Sequence, residues 1–142
     1  MSRLVARRGR LLRVRHVQHV LAAADAVQAR DQAAQIEGNA RRLATVRAEL
    51  FGQPGPTTGA VLATHRELAG RLEQAGRQLD GALYDAQRRI DQSDARRIAA
   101  DREREIAERL KDKARRAADM RAEARMAALP LYRRLQTKGD SE

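Results

Sequence analysis

One stretch alone breaks an otherwise continuous helical pattern in these 142 residues: Gly52-Gln53-Pro54-Gly55-Pro56-Thr57-Thr58-Gly59. The two prolines remove backbone donors and fix φ, and the glycines admit conformations that other residues avoid. On either side the chain is dominated by Ala, Leu, Arg, Gln and Glu, which favour helix, and strand signals are nearly absent. The expectation is an all-α chain, an antiparallel two-helix coiled-coil hairpin forming a single domain. Helix one covers about 4–51, the turn 52–59, helix two about 60–128, and a basic tail 129–142. Gly52 is placed to end helix one as a left-handed cap, Thr57 or Thr58 to cap the start of helix two, and Pro130 to stop it.

With one Phe, two Tyr, no Trp and 34% charged residues, the chain cannot fill a large globular core. A thin seam between helices is the alternative. In helix one Ala22, Ala26, Ala29, Ala33, Ile36, Ala40, Leu43, Arg47 and Leu50 recur at alternating steps of four and three, the heptad spacing of a coiled coil. A second stripe, Val17, Val20, Ala24 and Val27, lies beside it. In helix two Leu72, Ala75, Leu79, Ala82, Ala86, Ile90 and Ser93 keep the spacing. Ile106, Leu110, Lys113, Ala117, Met120, Ala124, Ala127 and Leu131 resume it in a shifted phase, which predicts a stutter or local bend.

Five acid-to-base pairs at i,i+4 support helix two: Glu67 with Arg71, Glu73 with Arg77, Asp85 with Arg89, Glu105 with Arg109 and Asp112 with Arg116. Gly38, Gly70, Gly76 and Gly81 each cost about 1 kcal/mol relative to Ala, so the half nearer the turn is expected to be the softer.

The formal charge of +10 is concentrated at the two ends of the sequence. Residues 1–15 hold Arg3, Arg7, Arg8, Arg10, Arg13 and Arg15 and no acid, whereas bases and acids balance over residues 16–110. An antiparallel hairpin brings both basic ends together, where like charges gain nothing for folding and suit a partner with an acidic surface. No run of about 18 apolar residues is present to span a bilayer. The absence of Cys excludes disulfides and thiolate metal sites and fits a reducing compartment such as the cytoplasm.

The residues of common catalytic constellations do not assemble. The turn has no Lys to complete a phosphate-cradling loop. His16 and His19 lack a third metal ligand, and His65 is remote. Ser2, Ser93 and Ser141 have no local base, and the carboxylates alternate with Arg as solvated pairs. A non-enzymatic chain without cofactor or metal is expected. Phe51, Tyr84 and Tyr132 are too scattered to stack single-stranded bases, whereas duplex phosphates require only positive charge. A basic helical hairpin binding nucleic acid phosphates therefore stands as an alternative, as does a coiled coil that associates only with itself.

The opening Arg10-Leu11-Leu12-Arg13-Val14-Arg15, followed by an Ala-rich heptad helix, one Gly/Pro turn, a longer charged helix and a short basic tail, resembles the FliJ family of bacterial flagellar type III export. Such proteins are two-helix coiled coils similar to the central stalk of rotary ATP synthases. The resemblance implies a stalk-like and chaperone-escort protein linking the hexameric export ATPase to the cytoplasmic domain of the export gate protein, with export chaperones as further partners. It also implies a cytoplasmic location, peripheral to the inner-membrane export apparatus. On that basis Arg7, Arg8, Arg10, Arg13, Arg15, Arg133 and Arg134 are the candidates for ATPase contact, and Leu68, Leu72, Ala75 and Leu79 for gate contact. In the family pattern the first of these four is commonly aromatic and the last a His, and both are Leu here. Leu72, Ala75 and Leu79 fit the inter-helix seam equally well, so the sequence leaves their exposure open.

Overall fold

The computed structural model describes residues 2–52, 55 and 58–130, and shows two helices packed against each other, α1 (Arg3–Phe51) and α2 (Gly59–Ala127). The fold is the all-α two-helix hairpin expected from the sequence. Ser2 caps α1: its Oγ accepts from the Leu4 amide at 3.2 Å, and its carbonyl accepts from the Ala6 amide at 3.1 Å. Thr58 does the same for α2, its Oγ1 accepting from the Val61 amide at 3.4 Å and its carbonyl from the Leu62 amide at 3.1 Å. Thr57, the other capping candidate, lies outside the described residues.

Gly52 departs from the expectation of a left-handed cap, because no described glycine has positive φ. A Cβ built on Gly52 would stand 2.5 Å from the Ala48 carbonyl oxygen. The residue is needed for close backbone approach rather than for handedness.

The chain divides into two units, Met1–Val20 with Ile98–Glu142, and Leu21–Arg97. In the second, α1 and α2 run antiparallel. Arg30 Nη2 donates to both carboxylate oxygens of Asp94 at 2.8 Å, a Cβ at Gly76 would rest 3.8 Å from Leu43 Cδ2, and Phe51 meets His65 edge to face at 6.2 Å. The buried residues are Ala26, Ala29, Ala33 and Ala86, flanked by half-buried Ile36, Leu43, Leu72, Leu79 and Ile90. Alanine at these positions lets two backbones approach, and each methyl contributes only about 0.8 kcal/mol of burial. The seam is therefore held by its length and by helix propensity more than by any single contact. From Ala40 to the turn no residue is fully buried, and a groove of about 310 Å³ opens among Ala40, Leu43, Arg47, Leu72, Gly76 and Leu79.

In the first unit the segments are again antiparallel: Arg15 pairs with Glu103 at 2.6 Å, and Ser2 lies with Ala118–Arg125 around one shallow cavity. Here the seam differs from the reading of the sequence. Ala107 and Ala114 are buried, with Leu110 and Lys111 half-buried between them and Ala100 and Arg104 half-buried before them. Of the expected run, Leu110 and Ala117 are half-buried, but Ile106 and Met120 are 56% and 69% exposed and Lys113, Ala124 and Ala127 are exposed too; Leu131 lies outside the described residues. Along α2 the seven-residue row Leu72, Leu79, Ala86, Ser93, Ala100, Ala107, Ala114 is unbroken. The expected jump in phase is absent; only the companion row shifts by one position, from Ala75 and Ala82 to Arg97, Arg104 and Lys111. Following the large apolar side chains misplaced the seam, because close helix approach selects Ala and the methylene stems of long cations can cover its flank.

Of the five i,i+4 pairs, Glu67–Arg71, Glu73–Arg77 and Glu105–Arg109 form, at 2.6, 2.9 and 4.0 Å, while Asp85–Arg89 and Asp112–Arg116 do not. Among the described residues no helix is long and apolar enough to cross a membrane.

Candidate docking surface

The α1 row that faces α2 in the first unit is Val5, Arg8, Leu12, Arg15 and His19, a continuation of the heptad through Ala22 and Ala26. That periodicity divides the arginine cluster. Arg8 and Arg15 fall on the seam and are half-buried, whereas Arg3, Arg7, Arg10 and Arg13 are exposed at positions turned away from it. Arg15 Nη1 donates to Glu103 Oε2 at 2.6 Å and to Gln18 Oε1 at 3.0 Å, so part of its hydrogen-bonding capacity is already used. Arg7, Arg10 and Arg13 form no ion pair with any described residue and stand free to meet a partner. Arg133 and Arg134 lie outside the described residues.

Structure adds bases of α2 whose charge the sequence reading counted but which it did not include among the contact candidates. Lys113, Arg115, Arg116, Arg121 and Arg125 of α2 are exposed in the same unit as the α1 arginines. The described residues of this unit hold fifteen Arg and Lys against seven Asp and Glu, a net of +8. The other unit holds eleven against ten, a net of +1. The antiparallel fold itself was the available signal: any helix-two base within a few turns of Pro130 must come beside the start of helix one.

Asp101, Glu103, Glu105 and Glu108 of this unit form ion pairs, whereas Asp112, Asp119 and Glu123 are exposed and form none with a described residue. Asp101 Oδ1 accepts from Arg104 Nε and Nη2 at 3.2 and 3.0 Å and lies 3.9 Å from His19 Nε2, while Glu108 accepts from Arg104 Nη1 at 3.3 Å. The hydrogen bond to Asp101, with the Asp101, Glu108 and Glu105 charges, raises the Arg104 guanidinium above its ordinary value. His19 Nδ1 is buried without a hydrogen-bond partner, and His16 is exposed. No group of three or more His, Cys, Asp or Glu able to hold a metal forms among the described residues.

Leu68, Leu72, Ala75 and Leu79 are all half-buried on the α2 row that faces α1 in their own unit. Leu72 and Leu79 line the 310 Å³ groove with Ala40 and Leu43. Leu68 and Ala75 do not line that groove, so only Leu72 and Leu79 are reached along its open edge. The two candidate surfaces thus differ in kind, one a field of free cations and the other a shallow apolar cleft. Comparison of the chain with protein-family models, with curated proteins and with solved structures finds no match.

Proposed function

We propose that this chain is a non-enzymatic docking protein that presents a basic two-helix surface to an acidic face of a partner protein. The observation that carries this reading is the charge contrast, +8 in the unit containing Arg7, Arg10 and Arg13 against +1 in the other. Unpaired exposed cations on rigid helices steer and orient an acidic partner at little entropic cost. In the finer form suggested by the resemblance to the FliJ family, the acidic partner is the flagellar export ATPase ring. The groove beside Leu68, Leu72, Ala75 and Leu79 then receives the export gate, and the protein works in the cytoplasm beside the membrane apparatus, escorting export chaperones.

The test is a pull-down of the export ATPase from the same organism by the purified protein, with nucleic acid as competitor, at low and physiological salt. ATPase retained despite the competitor supports the stalk reading. Capture of nucleic acid instead, with affinity falling at a log–log slope near −0.9 per phosphate neutralised, assigns the same arginines to duplex phosphates. Retention of neither removes both.

A further inference from the structure

The back of α1, opposite the seam, is apolar where a two-helix hairpin calls for polar residues. Val14, Val17, Val20, Leu21 and Val27 are each more than half exposed, and Ala24 completes the row. All lie on one unbroken helix, so their spacing is set by that helix alone. The exposed large apolar residues of α2 form no comparable row: Val61 and Leu62 are adjacent near its start, and Tyr84, Ile98, Ile106, Met120 and Met126 are spread along it. From the geometry of this row we infer that the back of α1 pairs with the same face of a second copy of this chain, antiparallel, about a two-fold axis between Val20 and Leu21.

The stripe is self-complementary about that point. An antiparallel copy sets Val20 level with Leu21, Val17 level with the small Ala24, and Val14 level with Val27, so each large side chain meets a matching or smaller one. Beyond the apolar residues the same axis sets Arg10 of each copy level with Asp31 of the other. Both residues are exposed, and neither forms an ion pair in the structure. A parallel pairing would set Arg10 on Arg10 and Asp31 on Asp31. An anionic membrane is a poorer occupant, since Asp25 and Asp31 stand exposed at one end of the stripe and would be repelled by acidic headgroups. The face from Arg10 to Asp31 is about 32 Å long and one helix wide, at the low end of protein interfaces. The expected dimer is therefore concentration-dependent; it does not rest on the docking reading above, but it uses Arg10, so dimer and acidic partner compete for that residue.

The experiment is sedimentation equilibrium of the full chain over about 1 µM to 1 mM, a range chosen for a weak pair. Mass should rise from the 15.9 kDa monomer toward twice that value. Leu21→Glu should hold the chain monomeric with unchanged helicity, because the side chain replaced is exposed. Arg10→Asp or Asp31→Arg alone should weaken association roughly fivefold, and the two together should restore it. Orientation is read by single cysteines, the native chain having none. Leu21→Cys, beside the axis, should yield a disulfide-linked dimer on oxidation, and Asp31→Cys should not. A monomer at every concentration overturns the pairing and leaves the stripe to a different chain. Cross-linking through Asp31→Cys instead overturns the antiparallel geometry.

Discussion

In the unit Leu21–Arg97 the row of α1 facing α2 reads Ala22, Ala26, Ala29, Ala33, Ile36, Ala40 and Leu43. In the unit that holds the first twenty residues the same row reads Val5, Arg8, Leu12, Arg15 and His19, and opposite it Arg104 and Lys111 flank Ala107. The heptad spacing is common to both, but the contents are not. One seam is held by apolar contact with, among the described residues, one inter-helix ion pair, Arg30–Asp94. The other alternates Ala with long cations whose stems cover the seam and whose heads reach Glu103, Asp101 and Glu108 at its edge. Spacing alone specifies where two helices touch; residue type decides whether that contact tolerates charge.

The strongest way to break this contrast is to put a carboxylate into each seam. Ala86 is 2% exposed among apolar neighbours, so Ala86→Glu leaves a buried charge without a partner and should cost on the order of 3 kcal/mol or more. Ala107 is equally buried, but Arg104 and Lys111 lie one helical turn to either side, so Ala107→Glu should cost about 1 to 2 kcal/mol less than Ala86→Glu. Urea titrations followed by circular dichroism compare them directly. Equal losses would mean that the cations of the first unit do not soften its seam toward acids.

Next in size is the division of the arginine cluster. Reversing Arg7, Arg10 and Arg13 together should lower affinity for an acidic partner by at least tenfold and leave helicity intact, because all three are exposed and unpaired. Arg8→Glu and Arg15→Glu should instead lower stability by about 1 kcal/mol, since both sit on the seam and Arg15 loses its contact with Glu103. Binding assays paired with melting curves separate the two groups. Thr58→Ala, which removes the cap of α2, should cost about 1 kcal/mol, read out as a lower melting temperature.

How much of this was legible beforehand follows the same division. The Gly/Pro interruption and the Ala heptads of helix one placed both helices to within a residue or two, because turn chemistry and small-residue spacing are local signals. Beyond Ser93 the reading went astray: Ile106 and Met120 drew the seam toward themselves, although Ala107 and Ala114 fill it. Hydrophobicity is a good guide where a core wants volume and a poor one where two backbones approach closely. The arginines were readable as a cluster, but which of them face α2 depended on extending the seam backward through Arg15 and His19, polar residues that periodicity by apolar type skips. The Val stripe was visible as a second row; that it lies opposite the seam and stays exposed among the described residues required the packing of α2.

The finest comparison is between two arginine–carboxylate pairs that join the helices, Arg30–Asp94 and Arg15–Glu103. Asp94 receives Arg30 on both oxygens, and its side chain is 29% exposed; Glu103 receives Arg15 on one oxygen and is 52% exposed. Exposed pairs contribute about 0.2 to 1 kcal/mol, with two-oxygen geometry toward the upper end. Double-mutant cycles with Arg30→Ala and Asp94→Ala, and with Arg15→Ala and Glu103→Ala, should therefore give the larger coupling for Arg30–Asp94. At about 1 M salt, where screening acts over roughly 3 Å, the coupling of Arg15–Glu103, whose carboxylate is the more exposed of the two, should fall further than that of Arg30–Asp94, although Arg30 is itself more exposed than Arg15. If instead Arg15–Glu103 proves the stronger, the neighbouring His19, Asp101 and Arg104 must be acting with it as one network, and the charged seam would be the more cooperative of the two.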